Sequence, residues 1–164
     1  MPAVIRPARK DNRLLAAKRR TDPRRASASP RIVHFRMQSR RSAIAPTVER
    51  VIDAVRGARL SADQIQDLAV AVAEALSNAA VHGHALRPEA RVRVDVTVTP
   101  GKRAVIDVKD SGAGFDFGAL SDPTDPSHIL LPGGRGVFLM RRLVDHMEFS
   151  ECGSRVRLVM ERHR

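Results

Sequence analysis

The chain has no tryptophan, no tyrosine and only five phenylalanines in 164 residues. A core made from it must rest on Val, Leu, Ile, Ala and Met. The same shortage argues against a single-strand nucleic-acid binder, because bases need aromatic faces to stack on. There is one cysteine, Cys152, so no internal disulfide can form. That usage fits a reducing compartment, and a cytoplasmic protein is expected. A lone cysteine beside a turn reads as incidental. No apolar run approaches the ~20 residues of a membrane-spanning helix. No secretory signal is read, and no membrane partner is expected. No Walker-type glycine-lysine loop, no zinc or helix-turn-helix pattern and no internal repeat occurs.

What is present is a basic balance, unevenly spread. The formal net charge is +11, but residues 1–30 hold nine Arg or Lys against Asp11 and Asp22. Two domains of behaviour follow. Residues 1–30 are expected to be a flexible basic tail, and 31–164 one folded domain. The tail's charges are expected to be solvated. Contact with nucleic acid or another polyanion is the sharper alternative, and only through this tail.

Arg31 to Gln38 alternates, with Val33, Phe35 and Met37 on one side. That predicts a strand, placed near a sheet edge by the charges on its other side. Ser42 to Arg56 predicts a helix with Val48, Val51, Ile52 and Val55 as its buried stripe. Gly57 suits its end. Ser61, with Gln64 three residues on, has capping-box spacing. The helix it starts runs to about Ala80 and stops near Gly83. Its stripe is Leu68, Ala71, Val72, Ala75, Leu76 and Ala79.

Arg91 to Thr99 and Lys102 to Lys109 read as antiparallel strands around a Pro100-Gly101 turn. Residues 116–132 read as a long functional or mobile loop. A helix opens at Gly133 to Gly136 and turns Val137, Met140, Leu143 and Val144 inward. Met147 to Glu151 and Arg155 to Glu161 close as a hairpin, for which Gly153-Ser154 suits a type II′ turn. This order predicts an α+β protein, with helices on one face of a mostly antiparallel, mixed sheet.

Three stretches carry chemistry. Glu74 and Asn78 are four apart, so carboxylate and carboxamide share one helix face. The amide oxygen can ligate Mg²⁺, which keeps most of its waters. The carboxylate can take a proton from an attacking hydroxyl. Asp110 ends a strand and is followed by Gly112 and Gly114. A buried carboxylate there selects adenine by accepting from its exocyclic amine. Gly133, Gly134 and Gly136 precede a helix whose free N–H groups favour phosphate, with Arg135 as an added cation. Each stretch alone is also an ordinary helix face, turn or hinge. Their conjunction, each at the end of an element, points to a nucleotide site.

The strings EALSNAAVHG, DSGAGF and LPGGRGVFLMRRLVDHMEF resemble the three nucleotide-binding boxes of the Bergerat-fold (GHKL) ATPases. Within that superfamily they are similar to the anti-sigma-factor serine kinases, over residues 31–164. The resemblance implies a two-layer α/β sandwich with three helices on one face and ATP beneath a lid. It implies Glu74 as general base, Asn78 as Mg²⁺ ligand and Asp110 as the adenine-reading acid. His82, Gly83, Gly112, Gly114, Phe115, Gly133, Gly134, Arg135, Gly136 and Val137 would complete the nucleotide site. It also implies ADP as product, an anti-anti-sigma protein of STAS type as phosphate acceptor, a sigma factor as second partner, and a homodimer. The alternative is a nucleotide-binding regulatory module without kinase activity. A sensor histidine kinase is not expected, because no phosphorylated-histidine helix is read before residue 31.

Overall fold

The computed structural model describes residues 29–87, 89–112, 114 and 134–163. Residues 1–28 of the expected tail, the expected loop at 116–132, Phe115 and Gly133 lie outside them. The elements follow the order read from the sequence. They are β1 (Arg31–Gln38), α1 (Ile44–Val55), α2 (Ala62–Asn78), β2 (Arg91–Thr99), β3 (Arg103–Lys109), α3 (Gly134–Leu143), β4 (His146–Ser150) and β5 (Arg155–Glu161).

The strands form one sheet in the order β1-β2-β3-β5-β4, antiparallel at every pairing. No parallel pair makes it mixed among the described residues. Period-two alternation sends Val92, Val94, Val96 and Val98 of β2 to one face, together with Ala104, Ile106 and Val108 of β3. Val156, Leu158 and Met160 of β5 complete that face. The three helices cover it, with α2 packed between α1 and α3. The opposite face is polar: Asp107 of β3 accepts from Arg155 and Arg157, and Asp95 of β2 from Arg93 and His34. The result is a two-layer α+β sandwich. β1 lies at an edge, as its charges imply.

α2 starts as a full capping box. The Gln64 amide donates to Ser61 Oγ and the Ser61 amide to Gln64 Oε1, both at 3.2 Å. Such a cap contributes about 1 kcal/mol. All six residues expected on the stripe of α2 are buried. The Pro100-Gly101 turn also holds, with Gly101 at φ +64° and its amide on Gly57 O.

Three expectations need correction. α1 begins at Ile44, after a short 3-10 turn at Arg41–Ala43. Gly57 does not end the helix in a left-handed conformation. A 3-10 turn over Arg56–Ala58 follows, and Arg59 takes the left-handed position at φ 58°. The connection between β4 and β5 is not a two-residue Gly-Ser turn. Glu151, Cys152 and Gly153 all have positive φ, while Ser154 is right-handed at φ −80°. Glu151 O holds this loop by accepting from the Ser154 amide and hydroxyl.

Candidate functional site

Past Asn78, the chain keeps winding, but more loosely. Ala79–Gly83 form a π-helical turn, in which the His84 amide reaches back five residues to Ala79 O at 3.1 Å. One extra residue per turn is a feature common at functional sites. Ala85 and Leu86 then sit consecutively in the left-handed region, at φ 49° and 56°. Neither is glycine, so this end of α2 is strained.

The winding brings Gly83 against Asp110 at the end of β3. A methyl group on Gly83 would lie 2.3 Å from the Asp110 carboxyl carbon. A methyl group on Gly112 would lie 2.1 Å from Gly83 O, and one on Gly114 1.9 Å from Cys152 O. No side chain fits at these approaches, which is why glycines stand there. Gly83, Asp110, Gly112, Gly114 and the β4–β5 loop therefore form one close-packed rim.

Inside that rim lies a small pocket open to solvent on one side. Ala75, Ala79, Val108, Phe149 and Val156 give it apolar walls. Asn78, His82, Gly83, Asp110, Gly114 and Ser154 bring polar groups to it. The walls suit a flat heterocycle, and the one buried charge in the lining suits a single polar edge on it.

Asp110 is that charge, 8% exposed. Its Oδ1 accepts from the Gly112 amide at 2.8 Å. The carboxylate also lines the pocket, where it can meet a donor on a ligand. Burial pushes the carboxyl above its ordinary range, and the Gly112 amide opposes the shift.

Glu74 and Asn78 lie one turn apart on α2, both half-buried. The first turn of α3 crosses over them. A methyl group on Gly136 would meet Glu74 Oε2 at 2.7 Å and the Asn78 amide at 3.7 Å. The α3 amino terminus therefore stands beside the carboxylate and carboxamide. Arg135 is exposed in that turn and Val137 packs against the core. Gly134 is the first residue of α3.

No cluster of three or more His, Cys, Asp or Glu among the described residues could hold a metal. The donor set fits a hydrated Mg²⁺ all the same, since that ion takes one or two protein oxygens beside waters and substrate phosphates. Asn78 Oδ1 would supply one.

The structure thus brings Glu74, Asn78, Gly83, Asp110, Gly112, Gly114 and Gly136 to one end of the helical layer. His82 lines the same pocket but is exposed. The sequence reading missed His84. It is fully buried, and its Nε2 accepts from the Ser111 amide at 2.9 Å. After a helix-ending glycine a histidine reads as a loop residue in water. Its i+4 spacing from buried Ala80 was the only available signal, and it counts only if the winding continues past Gly83.

The family model "Histidine kinase-like ATPase domain" matches residues 37–160. Among curated proteins, the chain is 37% identical over 92 residues to "Serine-protein kinase RsbW" of Bacillus velezensis, covering 52% of this chain and 57% of that protein. It is 36% identical over 91 residues to the protein of the same name in Bacillus subtilis, covering 52% and 56%. It is 28% identical over 105 residues to "Anti-sigma F factor" of Clostridium beijerinckii, covering 61% and 71%. The matched stretch thus spans little more than half the length of the two kinase relatives.

Proposed function

The chain belongs to the histidine kinase-like ATPase domain family, and on that premise we propose that it is an ATP-dependent serine protein kinase and anti-sigma factor. The relatives named as a serine-protein kinase and an anti-sigma factor support both halves of this reading. The observation that carries it is that Asp110 and Asn78 line one pocket, while the start of α3 lies against Asn78 and Glu74 one turn away.

In this reading the Asp110 carboxylate accepts from the exocyclic amine of adenine. Guanine carries a carbonyl oxygen at that position, which a carboxylate repels. Gly83, Gly112 and Gly114 let the backbone lie close to the base. The amide groups at Gly134 to Gly136 and the Arg135 guanidinium receive the phosphates. Asn78 Oδ1 would hold Mg²⁺, which would neutralise charge on the phosphates. Glu74 orients the serine hydroxyl of the partner and takes its proton. The serine oxygen takes the γ-phosphoryl group as the bond to the β-phosphate breaks, leaving ADP. The acceptor is a serine on an anti-anti-sigma protein of STAS type, and the second partner is a sigma factor. Homodimeric assembly and a cytoplasmic location belong to the same proposal.

The test is transfer of labelled γ-phosphate from ATP to the STAS-type proteins of the same genome. Glu74→Ala should abolish transfer and keep nucleotide binding. Undiminished transfer by that variant would remove Glu74 from the mechanism. Nucleotide binding without transfer to any such protein would leave a regulatory binding module.

A further inference from the structure

Three consecutive amides leave the end of β3, and each has a different acceptor. The Asp110 amide donates to Ser154 O at 3.0 Å. The Gly112 amide donates to Asp110 Oδ1 at 2.8 Å. Between them, the Ser111 amide donates to the ring of His84, at Nε2. The first and third bonds stay within the strand ends and their loop. Only the middle one ties Asp110 to the helical layer.

His84 is built for that bond at some cost. The π-helical turn and the two left-handed residues after it turn the ring fully inward, while His82 and Ala85 stay exposed. A nitrogen that accepts an amide proton carries none itself, which leaves Nδ1 as the ring's N–H. Ser111 Oγ also stands 2.9 Å from Nε2. Nδ1 is buried and has no hydrogen-bond partner among the described residues. A ring placed for packing alone would not bury an unpaired N–H, so Nε2 is the nitrogen the fold uses. The His84 carbonyl oxygen is held in turn by the Arg87 side chain at 3.1 Å.

We propose that His84 is the positioning residue for the base-reading carboxylate. By accepting the Ser111 amide it fixes the peptide planes after β3, so that the Asp110 carboxylate is held in the pocket lining. It thereby sets the preference for a nucleobase that presents an amine. The inference rests on the reading of this pocket as an adenine-nucleotide site.

The experiment titrates the full chain with Mg-ATP and Mg-GTP, for wild type, His84→Leu and His84→Gln, alongside thermal unfolding without nucleotide. Leucine fills the space and removes the acceptor. Glutamine returns a carbonyl oxygen at the reach of Nε2. The Leu variant should unfold cooperatively, lose at least tenfold in ATP affinity and change less than threefold toward GTP. The Gln variant should recover ATP affinity to within threefold of wild type. Wild-type ATP affinity and ATP/GTP ratio in the Leu variant would overturn the proposal. So would equal loss toward both nucleotides without rescue by Gln, which is the signature of a merely structural residue. Should the Leu variant fail to fold, His84→Asn replaces it, since its oxygen falls short of Ser111. Asn and Gln variants of equal ATP affinity would then overturn the proposal. A wild type that binds neither nucleotide would remove the adenine-site reading first, before any variant is compared.

Discussion

The two ends of α2 are built by different rules. At its start, Ser61 and Gln64 close a capping box, Gln64 Nε2 donates to Glu161 O at 2.6 Å, and Leu68 is fully buried. The polar groups of that cap are paired with one another, and regular α-helix follows directly from Ser61. At its end the helix loosens into a π turn, two residues go left-handed, a histidine hides an unpaired nitrogen, and a carboxylate is buried beside it. The first end stabilises the fold. The second gives up stability to hold polar groups where a ligand would meet them.

Leu68→Ala should produce the largest effect, and on stability alone. Removing a fully buried leucine costs about 2–5 kcal/mol. Thermal unfolding should shift down, while ATP affinity of the folded protein stays at the wild-type value. A loss of ATP affinity in the folded variant would show that the two ends are not separable.

Gly112→Ala acts at the other end. Its new methyl group would stand 2.1 Å from Gly83 O, so backbone must move and Asp110 with it. A cost of about 1–3 kcal/mol to stability is expected. Here, unlike at Leu68, nucleotide binding should vanish even below the unfolding temperature. Titration of the folded variant checks this.

Asp110→Asn sharpens the contrast, because stability and binding should move in opposite directions. Burial raises the Asp110 carboxyl above its unfolded value of 3.8. A raised acid favours the folded state at pH below the unfolded value, and that contribution is lost as pH rises through the folded value. The substitution removes the loss. Empty Asp110→Asn should therefore be more stable than wild type at neutral pH and no more stable in acid. ATP affinity should fall about tenfold, equivalent to ~1.4 kcal/mol. In wild type, ATP affinity should rise with pH through the titration of Asp110 and then level off. A flat profile would take the carboxylate out of recognition.

Ser61→Ala is the smallest of the four. It removes one helix cap and should cost about 1 kcal/mol by chemical unfolding. ATP binding should not change.

The same division governs what the sequence reveals. Alternation in Val92 to Val98 and the stripe from Leu68 to Ala79 are direct images of regular backbone, so strands, helices and core follow from them. Glu74 and Asn78 were legible because they sit on a regular helix with fixed i, i+4 geometry. The pairing of β5 between β3 and β4 is a matter of tertiary packing that no local pattern encodes. His84 and the β4–β5 loop depend on irregular winding. Left-handed Ala85, Leu86, Glu151 and Cys152 are held by their surroundings, not by their own preferences. Glycines at 83, 112 and 114 were visible as residues, but the contacts that demand them join segments far apart in the chain.

The central claim is that this irregular end of the fold reads adenine. Calorimetric titration of the wild-type chain with ATP and with GTP, in Mg²⁺, tests it most directly. ATP should saturate one site per chain, with GTP at least about tenfold weaker, as expected when one hydrogen bond to a charged group is exchanged for repulsion. Equal affinity for the two nucleotides, or no heat with ATP at millimolar concentration, would contradict it.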